Sequence, residues 1–138
     1  MEITLSLVKP DGVRRNLIGD VLRRFEQNGL KVVALKMLWL SKHEAQGFYV
    51  VHKDRPFYDS LTAFMSSGPL VAFVLKGENA VSRTRELMGA TNPADARKGT
   101  IRGDLGEGIE ANIVHGSDSR ESADFEIPYF FSQMELTR

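Results

Sequence analysis

A chain of 138 residues, 42% hydrophobic and 26% charged, has the size and composition of one ordinary globular domain spanning residues 1–138. Lys plus Arg and Asp plus Glu both number 18, so the net charge is zero and no general attraction to nucleic acid or to a membrane surface is expected. The absence of cysteine excludes disulfides and thiolate chemistry. Met1-Glu2-Ile3-Thr4 carries neither a basic leader nor a long apolar run, so a cytoplasmic protein is expected.

Ile3, Leu5 and Leu7 alternate with Thr4 and Ser6, the pattern of a half-buried strand that ends in a turn at Lys9-Pro10-Asp11-Gly12. Leu17, Ile18, Val21, Leu22 and Phe25 follow helical spacing, and Gly29 stands where such a helix would end. Residues 30–40 read as a second strand. Ser41 and Glu44 form a capping box that opens a helix with Ala45, Phe48, Tyr49 and His52 on one face. A shorter helix follows Pro56, with Leu61, Phe64 and Met65 inward. The unbroken apolar run Leu70–Leu75 reads as a central strand, and Asn79 is placed to cap a helix ending at Gly89.

Residues 90–110 read as a long irregular stretch, which inside a compact domain usually serves function. A short strand over 111–115 precedes a final helix capped near Ser119, with Ala123, Ile127, Phe130 and Phe131 inward. Pro128 predicts a kink or an early end there. The order of elements, two split β-α-β units, predicts an α+β fold: a ferredoxin-like βαββαβ sandwich, a four-stranded antiparallel sheet with helices on it.

Among the histidines, His43 lies in the first turn of a capped helix and reads as a solvated surface residue. His52 could line a pocket or simply end a helix. His115 differs, because an apolar strand delivers it to Gly116 among polar side chains. A neutral imidazole, with an ordinary pKa of about 6.5, is a good nucleophile near neutrality. A structural strand-end histidine is the competing reading. Ser117, Asp118 and Glu126 are the candidates to fix its tautomer. Lys9, Arg85, Thr91 and Arg102 could supply the cations and donors that phosphoryl transfer requires, although a lone surface Lys or Arg is more often simply solvated. Neither a G-x-x-x-x-G-K-[ST] loop nor a G-x-G-x-x-G fingerprint is present.

Several segments, in this order, resemble the nucleoside diphosphate kinase family across residues 4–131. They are Val8-Lys9-Pro10-Asp11-Gly12-Val13, Gly47-Phe48-Tyr49, Met65-Ser66-Ser67-Gly68-Pro69, Gly89-Ala90-Thr91-Asn92-Pro93, Gly99-Thr100-Ile101-Arg102 and Asn112-Ile113-Val114-His115-Gly116-Ser117-Asp118-Ser119. The resemblance implies a ping-pong transfer of the γ-phosphate of a nucleoside triphosphate to a nucleoside diphosphate, with His115 transiently phosphorylated. It implies that Lys9, Arg85, Thr91, Arg102 and Asn112 contact phosphates or ribose. Phe57 would stack on the base beside Leu61 and Ile109, and Tyr49, Ser117 and Glu126 would support the site. Magnesium would arrive on the nucleotide rather than in a protein-built cage. A homo-oligomer is implied, a hexamer being expected over a tetramer. Two rival readings are a nucleotide- or nucleic-acid-binding module on the same fold and a histidine phosphocarrier served by a partner protein.

Overall fold

The computed structural model describes residues 1–137. Four strands, β1 (Glu2–Val8), β2 (Lys31–Leu38), β3 (Leu70–Gly77) and β4 (Val114–Gly116), form one antiparallel sheet in the order β2-β3-β1-β4. This is the expected ferredoxin-like sheet. Among the described residues seven α-helices accompany it: α1 (Pro10–Arg14), α2 (Ile18–Gln27), α3 (Lys42–Phe48), α4 (Tyr58–Met65), α5 (Ala80–Met88), α6 (Ile101–Leu105) and α7 (Arg120–Phe130).

Helices cover both faces of the sheet. Leu70, Ala72 and Val74 of β3 pack with Ala45, Phe48, Met65, Ala123 and Ile127 from α3, α4 and α7. Val71, Phe73 and Leu75 point the other way, against Val21, Phe25, Ala80, Met88 and Ile101 from α2, α5 and α6. Burial on both sides explains why β3 is apolar without alternation. It also corrects the half-buried reading of β1, where Thr4 and Ser6 are as fully buried as Leu5 and Leu7. An RNA-binding sheet needs exposed aromatic side chains. The aromatic residue of β3, Phe73, is instead buried against Phe25 with ring centroids 5.8 Å apart.

Local signals set most element ends. The Ser41–Glu44 capping box is made in both directions. At the end of α2 the Leu30 N–H donates to the Phe25 carbonyl and the Gly29 N–H to that of Glu26, each at 3.1 Å. This double closure needs a left-handed residue between helix and strand, and Gly29 supplies it with φ of 83°.

Four further expectations are corrected. The Lys9–Gly12 turn opens into the short helix α1, with Pro10 at its first position, where a missing N–H costs nothing. Asn79 does not cap α5 with its side chain; the carboxylate of Glu2 does so from β1, accepting from the Val81 N–H at 2.7 Å. The 90–110 stretch contains α6, begun by Thr100, whose hydroxyl accepts from the Gly103 N–H at 3.0 Å. His52 falls in a separate 3-10 turn, Val50–His52, rather than in α3.

Pro128 is accommodated inside α7, which ends two residues later at Phe130. Asp124, whose carbonyl loses its helical partner to this proline, and Pro128 itself both lie on the exposed side.

Two glycines in and beside α2 should respond oppositely to alanine. Gly19 is exposed within the helix with nothing near its missing Cβ, so Gly19→Ala should stabilise by roughly 0.5 kcal/mol. Gly29→Ala forces a side chain into the left-handed region and should cost about 1 kcal/mol. Urea unfolding of both variants checks this; changes of the same sign would contradict the assignment.

Candidate active site

Ile113, just before β4, has φ of 75°. The Val114 N–H donates across it to the Asn112 carbonyl at 2.8 Å. These three residues thus close a γ-turn around a β-branched side chain, a conformation that costs roughly 1–3 kcal/mol. The Ile113 N–H donates to Oδ2 of Asp11 at 3.0 Å, and its carbonyl accepts from the Lys9 N–H at 2.8 Å. Its side chain is fully buried. The turn brings Asn112, before it, and His115, after it, to the lining of one cleft.

His115 pairs with Leu7 across β4 and β1, and its carbonyl accepts from the Ser6 hydroxyl at 2.7 Å. Its neighbour Gly116 lies within β4, where a Cβ would meet Met88 Sδ at 2.5 Å. The imidazole meets Phe48 and Tyr49 edge-on, with centroids 5.3 and 5.8 Å away and ring planes at 68° and 88°. Nε2 lies 2.7 Å from Oε1 of Glu126 on α7. An ionised carboxylate only accepts, so Nε2 carries the proton and Nδ1 keeps its lone pair in the neutral ring. The same Glu126 oxygen accepts from the Ser117 hydroxyl at 2.8 Å. Of the three tautomer candidates, Glu126 therefore holds the ring directly and Ser117 holds Glu126. Asp118 instead accepts from the Ser122 hydroxyl.

Three cations line the same cleft. Arg102 is buried, and its guanidinium donates to the Val114 carbonyl at 2.7 Å and the Gly89 carbonyl at 3.1 Å. Burial, then the neighbouring Arg85, lower it to about 10, still charged at neutral pH. Arg85 on α5 donates to the Gly116 carbonyl at 3.0 Å. Lys9 at the end of β1 donates to the Glu110 carbonyl at 2.7 Å and to Oδ1 of Asn112 at 2.8 Å. Burial brings its ammonium down to about 8; Asp11 and Glu110 oppose this, and Arg102 adds to it. Burial, helped by Glu126, holds the Tyr49 hydroxyl protonated well above its usual range.

At the mouth of the cleft, Phe57 and Ile109 are 46% and 64% exposed, and Leu61 lies beside them. The carbonyls of Thr91 and Ile109 fix the Asn112 amide at 3.0 and 2.8 Å. Of the site residues expected from sequence, all but Ser117 line this one cleft of about 490 Å³, a volume in the range of small-molecule sites.

Sequence reasoning left His52 open and passed over Val51, Glu110 and Asp11. His52 lines the cleft, stacked 6.3 Å from Tyr49 and 5.4 Å from Phe57. The spacing of His52 from Tyr49 was the available signal. Asp11 falls in the Val8–Val13 segment that carries the resemblance, but nothing there signals its bond to the Ile113 N–H, 102 residues away.

Among the described residues no group of three or more His, Asp or Glu side chains could hold a metal ion, and no helix is long and apolar enough to cross a membrane.

The family described as nucleoside diphosphate kinase matches residues 2–136. The chain is 60% identical to the nucleoside diphosphate kinase of Oleidesulfovibrio alaskensis over 136 residues, covering 99% of this chain and 98% of that one. It is 60% identical to that of Persephonella marina, covering 99% and 97%. Its fold superposes with a TM-score of 0.96 on the nucleoside diphosphate kinase of Aquifex aeolicus, at 45% identity and 99% coverage of both chains. The score is also 0.96 for a halophilic nucleoside diphosphate kinase from Halobacterium salinarum in complex with CDP, at 45% identity, covering 99% of this chain and 91% of that one. The chain thus belongs to the nucleoside diphosphate kinase family, which moves the γ-phosphate of a nucleoside triphosphate to a nucleoside diphosphate through a phosphohistidine and requires a divalent cation.

Proposed function

We propose that Nδ1 of His115 is the atom that carries the phosphoryl group, and that the surrounding side chains divide the remaining work. The 2.7 Å contact between Nε2 and Glu126 supports this reading most directly. The neutral ring attacks the γ-phosphorus, the Nδ1–P bond forms, and the bond to the bridging β-oxygen breaks to release the diphosphate. The imidazole becomes cationic, and the Glu126 carboxylate facing its Nε2–H stabilises that charge as it develops. In the second half-reaction a terminal oxygen of the incoming diphosphate takes the phosphoryl group back, and the ring returns to neutrality.

Lys9, Arg85, Arg102, Thr91 and Asn112 are proposed to bind phosphates and ribose, and Phe57, Leu61 and Ile109 to form the base wall. Tyr49, Ser117 and Glu126 orient the ring. The CDP held by the halophilic relative is consistent with a nucleotide in this cleft. The divalent ion is proposed to be Mg2+ riding on nucleotide phosphates, which suits a site with no carboxylate cage. Bound there, it would neutralise charge on the departing diphosphate. The proposal also includes one domain over 1–138, a cytoplasmic location and a homo-oligomer, a hexamer rather than a tetramer. Exposed Leu35, Met37 and Trp39 in and just after β2 support association of copies. A phosphocarrier served by a partner protein would share the nucleophile without needing three cations and an apolar base wall.

The central test is chemical. Incubation with γ-labelled ATP should leave acid-labile, base-stable label on the protein, and added GDP should remove it as GTP. His115→Ala should bind nucleotide and take no label; ordinary turnover in that variant would refute the nucleophile.

The low ammonium value of Lys9 sets a pH limit. In the free protein Lys9 loses its charge above about pH 8, whereas a bound diphosphate favours the charged form. Binding above pH 8 should therefore take up a proton, and ADP affinity should fall as pH rises. Calorimetry from pH 7 to 9.5 reads this, and Lys9→Met should flatten the decline; an unchanged slope would remove Lys9 from the phosphate contacts.

Phe57 should make base choice permissive, because stacking gains about 1–3 kcal/mol per base without matching hydrogen bonds. Phe57→Ala should lower kcat/KM for ATP, GTP and CTP alike, and purines somewhat more. A wild-type preference above roughly a thousandfold for one base would instead require a polar base contact.

A further inference from the structure

We propose that Asp11 is a positioning residue for phosphoryl transfer: its carboxylate fastens the left-handed turn at Ile113 and so holds Asn112 and His115 in working register. The inference deepens the reading of His115 as the phosphorylated residue and rests on it. Three observations carry it. Asp11 is 7% exposed, and its Oδ2 accepts from the Ile113 N–H at 3.0 Å. Ile113 is a β-branched residue at φ of 75°, a conformation that persists only where its surroundings impose it. The turn is also pinned on its other side, where the Lys9 N–H donates to the Ile113 carbonyl at 2.8 Å.

Both clasps come from one short stretch, since Asp11 lies in the first turn of α1 and Lys9 is that helix's N-cap. Gly12 completes the fit, as a Cβ there would come within 3.3 Å of the Ile113 carbonyl oxygen. Without the Asp11 bond, the buried Ile113 N–H would be left unpaired beside a strained φ, and both penalties would favour relaxation of the turn. Asn112 lies one residue before that turn and His115 two residues after it, so relaxation would change the distance between the Asn112 amide and the imidazole. Phe57 and Leu61 sit just before and within α4, on another segment, and would keep their places.

The experiment separates positioning from general stability. In Asp11→Ala, the single-turnover rate of phosphohistidine formation should fall by roughly 10- to 100-fold, the scale of losing one hydrogen bond to a charged group. ADP affinity should change by less than about fivefold, because most of the nucleotide's contacts lie elsewhere. Amide exchange should quicken at Ile113 and Val114 while β3 remains protected.

Asp11→Asn offers a neutral oxygen to the same N–H and should recover the rate to within about threefold of wild type. It also serves as the test should the alanine variant not fold. An Asp11→Ala protein that phosphorylates at the wild-type rate would overturn the inference. So would a folded Asp11→Asn protein that binds ADP normally yet loses more than about thirtyfold in rate, which would assign the effect to charge rather than to the clasp. The underlying reading fails separately, if the wild-type protein takes no label on His115.

Discussion

Three register pairs between β1 and β4, Ser6 with Gly116, Leu7 with His115 and Val8 with Val114, decide where the imidazole can stand. They join the first strand to the last and set the end of β1, where Lys9 emerges, beside the strand that carries His115. The β2-β3-β1-β4 order makes this possible, because it leaves β1 flanked by β3 on one side and free to receive β4 on the other. The remaining site residues then need only the helices already packed on the sheet. Arg85 arrives on α5, Arg102 on α6 and Glu126 on α7, each element anchored by side chains in the core. Loss of the β1–β4 pairing would separate the nucleophile from Lys9 even if every helix kept its place.

The cations are costly to place there, and the backbone offsets much of the cost. Burying an ammonium or guanidinium is unfavourable unless hydrogen bonds satisfy it. Lys9 and Arg102 meet that condition mainly through carbonyls, at Glu110, Val114 and Gly89. Carbonyls carry partial rather than full negative charge, so both side chains remain available to a polyanionic ligand. Fully ionised partners at the same positions would have neutralised the cleft. The arrangement therefore gives up stability in the empty protein for a positive field at the imidazole. The values of about 8 for Lys9 and about 10 for Arg102 express that cost.

The parts of this design that were legible in the sequence depend on local or repetitive signals. The capping box at Ser41, the apolar run of β3 and the strand delivering His115 all follow from neighbouring residues. The candidate site residues could be singled out chiefly through the family resemblance of several short segments, since a lone Lys or Arg seldom shows its role. What escaped was governed by contacts between distant residues. Thr4 and Ser6 look solvent-facing until α5 is laid over them. Glu2 caps a helix that begins 78 residues later, at Ala80. Helix α6 is five residues long and contains Gly103, too short and too weak in propensity to register; the burial of Ile101 and the anchoring of Arg102 sustain it. The left-handed Ile113 breaks the rule for β-branched residues and is legible only once its partners are in place.

The lengths of the two outer strands have a consequence for colloidal behaviour. The edge on the side of the nucleophile, β4, is three residues long and presents few unpaired backbone groups to another chain. The opposite edge, β2, is eight residues long and carries exposed Leu35 and Met37, softened by a bulge at Val33 whose carbonyl accepts from the Thr137 N–H. The tendency of an open sheet to recruit further strands is thereby confined to the side far from the chemistry. Edge-to-edge association, whether ordered or not, would be directed away from the cleft and leave its mouth open to solvent.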